Sequence, residues 1–227
     1  MNNLTLKIIA VVTMLVDHAG SVLLTHYIGT EYVHIYLMTR WVGRIAFPIF
    51  AYLIAQGCVH TRSMPKYMLR LGALALISEF FFDMALVGSD SVNFLANTNI
   101  FYTLFLAVFA IWLYQKSGKK WWGWLLVLPS MGLAEFLTTD YGGFGVLFIF
   151  AIYTLGRGEK LWSAVIVALG MGFLYLRNVQ IEAFLFASVA SLCVLTYNGK
   201  PGPKYPALQY GFYAFYPAHL AVLMALS

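Results

Sequence analysis

The sequence predicts an all-α, polytopic transmembrane helix bundle of about nine spans, within a range of eight to ten, with a cytoplasmic N-terminus and the C-terminus outside. Three observations predict it. Of 227 residues, 61% are hydrophobic and only 10% charged, where an average soluble domain carries roughly 25% charged residues. Apolar runs at or near the ~20 residues that cross a bilayer recur along the whole chain, and the mean hydropathy is +0.78. The basic residues fall in alternate loops. A soluble core of this size could not hide so much apolar surface, whereas lipid removes the need to hide it. Backbone amides in lipid must be bonded within their own segment, so each run is expected to be helical.

The runs place helices over 5–25, 42–59, 67–88, 100–115, 121–137, 143–156, 161–176, 181–197 and 207–226. Asp17 and His18 interrupt the first run, which also lacks a small-residue cleavage site, so it reads as a retained helix rather than a signal peptide. Trp121, Trp122 and Trp124 stand beside Lys119 and Lys120, as an interfacial belt does. The sixth to eighth runs are short for a full span. Polar gaps are loops of roughly 10–20 residues, so residues 1–227 read as a single membrane domain. Cys58 and Cys193 lie in apolar runs and read as small hydrophobes.

Charge placement orients the bundle. Lys7 opens the first helix. Alternate loops hold Arg62, Lys66 and Arg70; Lys116, Lys119 and Lys120; Arg157 and Lys160; and Lys200 and Lys204. These are eleven of the fourteen basic residues, and the positive-inside rule puts them on the cytoplasmic side. Arg40, Arg44 and Arg177 are the other three. Topology therefore accounts for the net charge of +5, and no nucleic-acid partner is expected.

Ionisable groups in a bilayer core are costly, so by default they mark function. The candidates are Asp17, His18, Arg44, Glu79, Asp83, Glu135 and His219. The expected topology puts them at similar depth, in the middle or outer half of the membrane, and predicts one polar cavity there. Lys7 and His18 are eleven residues apart, which returns to within about 20° of the same helix face, about 16 Å along the axis. A cation at the cytoplasmic mouth below an imidazole in mid-membrane suits a donor with an anionic head and a reactive tail, such as acyl-coenzyme A. Histidine is also the usual general base near neutral pH. The competing reading is a buried histidine bonded to a backbone carbonyl.

Asp17 lies about 100° from His18 on the helix, so it is expected to meet another helix, with Arg44 as partner. Glu79 and Asp83, at i and i+4, share a face and form an acid–base pair or proton relay, unless Asp83 simply reaches the outer water. His219 follows Pro217, which opens the helix ladder, so a bond from His219 to a freed carbonyl is the structural alternative there. Glu135 is expected near the interface. His26 and His34, in a loop, lack metal-ligand spacing, and no metal site is expected.

Several stretches together resemble the TraX family of conjugation-associated membrane proteins. They are Met14-Leu15-Val16-Asp17-His18, Gly43-Arg44-Ile45-Ala46-Phe47-Pro48-Ile49-Phe50, His60-Thr61-Arg62, Lys66-Tyr67, Phe101-Tyr102-Thr103-Leu104, Asp140-Tyr141-Gly142, Tyr197-Asn198-Gly199-Lys200 and Phe215-Tyr216-Pro217-Ala218-His219-Leu220. The likeness spans nearly the whole chain. It implies an acetyl-CoA-dependent acetyltransferase acting on a pilin-like protein or an envelope glycan, in a bacterial inner or plasma membrane. TraX-like chains are in turn similar to transmembrane acyltransferases of the acyltransferase-3 type. A hallmark of those is a basic residue, ten residues, then a histidine in the first helix, and Lys7 and His18 match that spacing. The resemblance makes His18 the catalytic residue and Lys7 part of the donor site. The basic residue here is lysine rather than the usual arginine, and the group's Arg-x-x-Arg pattern is absent.

The expected mechanism uses His18 as general base, Arg44 at the oxyanion, and Asp17, Glu79 or Asp83 to orient or carry protons. Lys7, Arg62, Lys66 and Arg70 are expected near the coenzyme A phosphates. The rival expectation is a proton-coupled transporter for a small solute, which buried Asp, Glu and His residues would also serve.

Overall fold

The computed structural model describes residues 1–88, 91–156, 158–200, 202–203 and 206–226. Arg157 and Lys204, which contribute to the charge pattern, lie outside the described residues. Among the described residues the chain is all-helical, with no strand, and ten α-helices occur: α1 (Asn3–Leu23), α2 (Val33–Gly43), α3 (Ala46–His60), α4 (Met64–Phe82), α5 (Ile100–Lys116), α6 (Val127–Phe136), α7 (Gly142–Gly156), α8 (Lys160–Leu176), α9 (Ile181–Leu195) and α10 (Pro206–Leu226). A π-helical turn, Asp83–Val87, extends α4, and a 3-10 segment, Trp121–Leu126, leads into α6.

Local chemistry sets the ends. Asn2 caps α1 by accepting from the Thr5 amide at 2.9 Å. Asn99 caps α5 through the Phe101 amide at 2.9 Å. The π-turn stops at Gly88, whose φ of 70° is left-handed and suits a residue without a Cβ.

The second helix departs from expectation. The sequence predicts it over 42–59 with a loop before it, but helix begins at Val33. The break falls at Arg44 and Ile45 instead. Pro48 lacks the N–H that would bond the Arg44 carbonyl, and its ring crowds that carbonyl, so the turn before it opens. His34 consequently sits in a helix rather than a loop.

By length and composition two stretches are apolar enough to cross a membrane, Asn3–Leu23 and the nearly continuous Val33–His60. Five more apolar helices are shorter: Ile100–Lys116, Gly142–Gly156, Lys160–Leu176, Ile181–Leu195 and Gly211–Leu226.

The chain forms two compact units. One comprises Met1–Leu53 and Leu155–Ser227, the other Ile54–Thr154. In the first unit α8 and α9 form an antiparallel hairpin whose buried faces combine small residues with Met171 and Tyr175. Ala183, Ala187 and Ala190 of α9 are buried, as are Ser163, Ala164 and Val167 of α8. Gly172 of α8 leaves room for Phe184 of α9, whose ring would lie 3.5 Å from an added Cβ. The outer faces carry the large side chains: Leu169 is 69% exposed and Phe173 63%, with Leu185 and Leu192 also open.

In the same unit α1 packs against α2 through two glycines. A Cβ on Gly20 would collide with the Thr39 hydroxyl, and one on Gly43 would collide with the Asp17 carboxylate. Small residues permit this approach of helix backbones. In the second unit α4 packs on α5 and α5 on α6.

Ala187→Leu, which forces bulk into the α8–α9 contact, should lower stability by about 1–3 kcal/mol. Leu185→Ala, on the exposed face of the same helix, should change it by less than about 0.5 kcal/mol. Thermal unfolding of both variants in the same detergent checks the contrast.

Candidate active site

The first unit gathers Asp17, His18, Arg40, Arg44 and His219. Asp17 projects from α1 toward α2, where Oδ1 lies 3.0 Å from Arg40 Nη1 and 3.4 Å from Arg44 Nη2. Arg40 Nη1 also donates to the Asp17 carbonyl at 3.1 Å. Arg44 Nε donates to the Arg40 carbonyl at 3.0 Å, one helical turn back. The expected Asp17–Arg44 pair is therefore present, with Arg40 as the shorter contact. Two guanidiniums face one carboxylate at a partly buried site.

His18, about 100° around α1 from Asp17, meets α10. Its Nδ1 lies 2.7 Å from His219 Nε2. The rings are 12° from parallel with centroids 5.0 Å apart. That separation is what two imidazoles reach when the N···N line runs through both centroids, so the lone pair of one nitrogen points along the N–H of the other. His219 is 6% exposed, and its Nδ1 lies 2.8 Å from the Phe215 carbonyl oxygen, four residues back. The sequence anticipates a bond to the carbonyl that Pro217 frees, that of Tyr213; the partner is instead the Phe215 carbonyl. Tyr216 packs its ring edge-wise against both histidines, at 6.0 Å and 5.4 Å.

These contacts settle the proton positions for neutral rings. A carbonyl oxygen only accepts, so His219 Nδ1 donates to Phe215. Its Nε2 is then the acceptor, and the proton in the shared bond belongs to His18 Nδ1. The lone pair of His18 is left on Nε2. Among the described residues nothing hydrogen-bonds to that nitrogen, and His18 is only partly buried. It is the position from which an imidazole removes a proton.

Lys7 lies on α1 eleven residues before His18, with Nζ 5.6 Å from the centre of the Phe212 ring on α10. Lys7 thus meets Phe212 while His18 meets His219, so α1 and α10 run in the same direction. Arg62, Lys66 and Arg70 belong to the second unit and are exposed around the turn into α4. Arg70 Nε donates to the Lys66 carbonyl at 3.3 Å, and its guanidinium lies 5.8 Å from the Tyr67 ring centre.

Glu79 and Asp83 also lie in the second unit and are fully buried. Glu79 Oε2 accepts from the Asn99 backbone amide at 3.1 Å and from Asn99 Nδ2. Asn99 Nδ2 donates in addition to the Ala75 carbonyl at 2.8 Å. Asp83 Oδ2 accepts from the Asn93 amide at 2.7 Å. Among the described residues Glu79 Oε1, Ser78 Oγ and Tyr102 Oη are buried without a partner. Glu135 acts locally. Its Oε1 accepts from the Gly143 amide at 2.8 Å at the start of α7, and a Cβ on Gly142 would fall 2.8 Å from that oxygen.

Three participants escaped the sequence reading. Arg40 is at i, i+4 to Arg44, a signal hidden because residues before 42 read as loop. Asn99 is the partner of a carboxylate twenty residues away, which no local spacing signals. The link between His18 and His219, 201 positions apart, leaves no mark on local sequence.

The profile of the TraX protein family matches residues 3–227. A probable fimbrial assembly protein, FimC of serogroup H1 from Dichelobacter nodosus, is 27% identical over 234 aligned residues, covering 96% of this chain and 92% of that protein. No solved structure matches. A family match running from the first helix to the last, over His18, Arg44 and His219 alike, means that this chain belongs to the TraX protein family.

Proposed function

We propose that this chain is a membrane-embedded acyltransferase that moves an acetyl group from acetyl-CoA to an amine or hydroxyl of a pilin-like protein or an envelope glycan. His18 carries the reading: an imidazole held by its Nδ1, with the Nε2 lone pair open, eleven residues beyond the lysine of the same helix. The fimbrial role in the relative's name supports a pilin-like acceptor over a glycan.

A bilayer setting is supported by the open apolar faces of α8 and α9, which carry Leu169, Phe173, Leu185 and Leu192 outward. The parallel course of α1 and α10 agrees with an odd number of spans, which would put their ends on opposite sides of the bilayer. Within the first unit, Lys7 is the cationic group on the helix of His18 that would meet the donor's phosphates.

In the proposed reaction His18 Nε2 takes the proton from the acceptor N–H or O–H as that atom attacks the thioester carbonyl carbon. The carbonyl electron pair moves to oxygen, and the two guanidiniums beside His18 make the surroundings positive enough to favour that oxyanion. When the intermediate collapses, the carbon–sulfur bond breaks. The proton on His18 Nε2 then passes to the coenzyme A thiolate, returning the imidazole to its starting state.

One observation favours a second reading. Glu79 and Asp83 are buried together with an unpartnered carboxylate oxygen, and intramembrane carboxylates also serve proton-coupled transport. Solute flux into proteoliposomes lacking acyl-CoA would move the assignment to a transporter.

Three outcomes are expected. His18→Ala, purified in folded form, should lose about 10²–10⁴-fold in acetyl transfer, followed as thiol release with labelling of the acceptor; retention of the wild-type rate would refute the mechanism. Lys7→Ala should weaken acetyl-CoA binding about fivefold to tenfold by calorimetry, a loss of roughly 1 kcal/mol, with little change in kcat. A periplasm-active reporter fused after residue 226 should be active, whereas fusion after Lys120 should leave it silent.

A further inference from the structure

We propose that His219 is the positioning residue that fixes the catalytic tautomer of His18, and that its own tautomer is fixed in turn by the Phe215 carbonyl. The inference rests on the acyltransferase reading but makes a claim that can be measured without any acyl transfer.

A neutral imidazole has one N–H and one lone pair, and they exchange places between tautomers. Only the Nδ1–H form of His18 presents a basic nitrogen at Nε2. The ring left to itself favours the opposite form, which would aim the lone pair at α10 and present an N–H to the acceptor. Such a ring could not take a proton from the acceptor. The structure holds the required form by a chain of two bonds. The Phe215 carbonyl accepts from His219 Nδ1 at 2.8 Å, and His219 Nε2 accepts from His18 Nδ1 at 2.7 Å.

The rest of the site keeps that chain in line. Phe215 stacks on the His219 ring at 4.9 Å and 14°, and Tyr216 closes its edge. Asp17, the nearest carboxylate in sequence, cannot replace His219. It lies about 100° away on α1 and is engaged by Arg40 and Arg44. The orienting partner of the base is therefore another histidine, where hydrolytic triads use a carboxylate.

When His18 accepts the acceptor's proton at Nε2 it becomes an imidazolium whose Nδ1–H still donates to His219. His219 changes neither its proton count nor its hydrogen-bond roles during the cycle. Its removal should consequently act on the chemical step and not on donor binding.

The test combines kinetics with the protonation state of His18 read directly. Full-length protein carrying ¹⁵N-labelled histidine in detergent micelles is studied by ¹⁵N NMR, with the His18 signals assigned by their loss in His18→Ala. In the wild type, His18 Nδ1 is expected to carry the proton and Nε2 to be bare. In His219→Leu the His18 tautomer should change to Nε2–H or become mixed, with kcat lowered about 10²-fold and acetyl-CoA KM within about twofold. His219→Gln, whose side-chain oxygen can accept from His18 Nδ1, should recover at least a tenth of the wild-type kcat. A wild-type His18 with its proton on Nε2 overturns the proposal, whether or not His219→Leu folds. So does a His219→Leu protein with unchanged kcat. The expected tautomer in a protein that transfers no acetyl group would uphold the positioning role and refute the acyltransferase reading alone.

Discussion

The grip of Arg40 and Arg44 on Asp17 fixes the rotation of α1, and the rest of the candidate site depends on that rotation. Asp17 and His18 are consecutive, so the direction of one sets the direction of the other about 100° away. Gly43 is part of the same constraint, because a side chain there would occupy the space that Asp17 fills. Gly20, one turn further along α1, brings the backbone close to Thr39. With one face of α1 committed to α2, the His18 ring is delivered to α10. A charged cluster of this kind at a partly buried site adds little net stability by itself. Its contribution is to specify one arrangement of α1 over its rotated alternatives.

The local part of this arrangement was legible in the sequence. The all-helical character followed from composition and apolar runs, and most helices lie within a few residues of their expected positions. The shared phase of Lys7 and His18 needs only the helical period, and the meeting of Asp17 with Arg44 needs only the high cost of burying either alone. The start of α2 was not legible, because Val33–Gly43 is only moderately apolar and contains His34 and Arg40. Its helical state is set by packing against α1, and such tertiary context overrides local preference. Nor could the sequence divide the polar residues between two compact units, since that depends on contacts among segments far apart in the chain.

The second unit solves a different problem with similar means. Glu79 is fully buried, and its Oε2 is held by both the backbone and the side chain of Asn99, while the oxygen of that same side chain caps α5 through the Phe101 amide. One asparagine thus ties a buried carboxylate on α4 to the N-terminus of α5, where the helix dipole favours negative charge. Asp83 enters the π-turn that ends α4, a geometry found often at functional sites. The remaining Glu79 oxygen is unpartnered among the described residues. Buried polar atoms are rarely left so, and this is why the transporter reading keeps a foothold in α4 rather than in α1.

A histidine is a chemically apt choice to orient a base in a low-dielectric interior. A carboxylate partner would fix the same tautomer and would also stabilise the imidazolium as it forms, but it would bring a permanent charge into surroundings where ions cost several kcal/mol. The Asp17 carboxylate is tolerated there because two arginines answer it. His219 orients His18 without adding charge to the resting site, and its own second nitrogen is satisfied within its helix by the Phe215 carbonyl. In the proposed reaction, the positive charge on His18 would be opposed chiefly by the substrate's own oxyanion. The imidazolium would therefore be short-lived and give its proton readily to the proposed leaving thiolate. In the proposed reaction a neutral partner would thus favour complete transfer over accumulation of a charged intermediate.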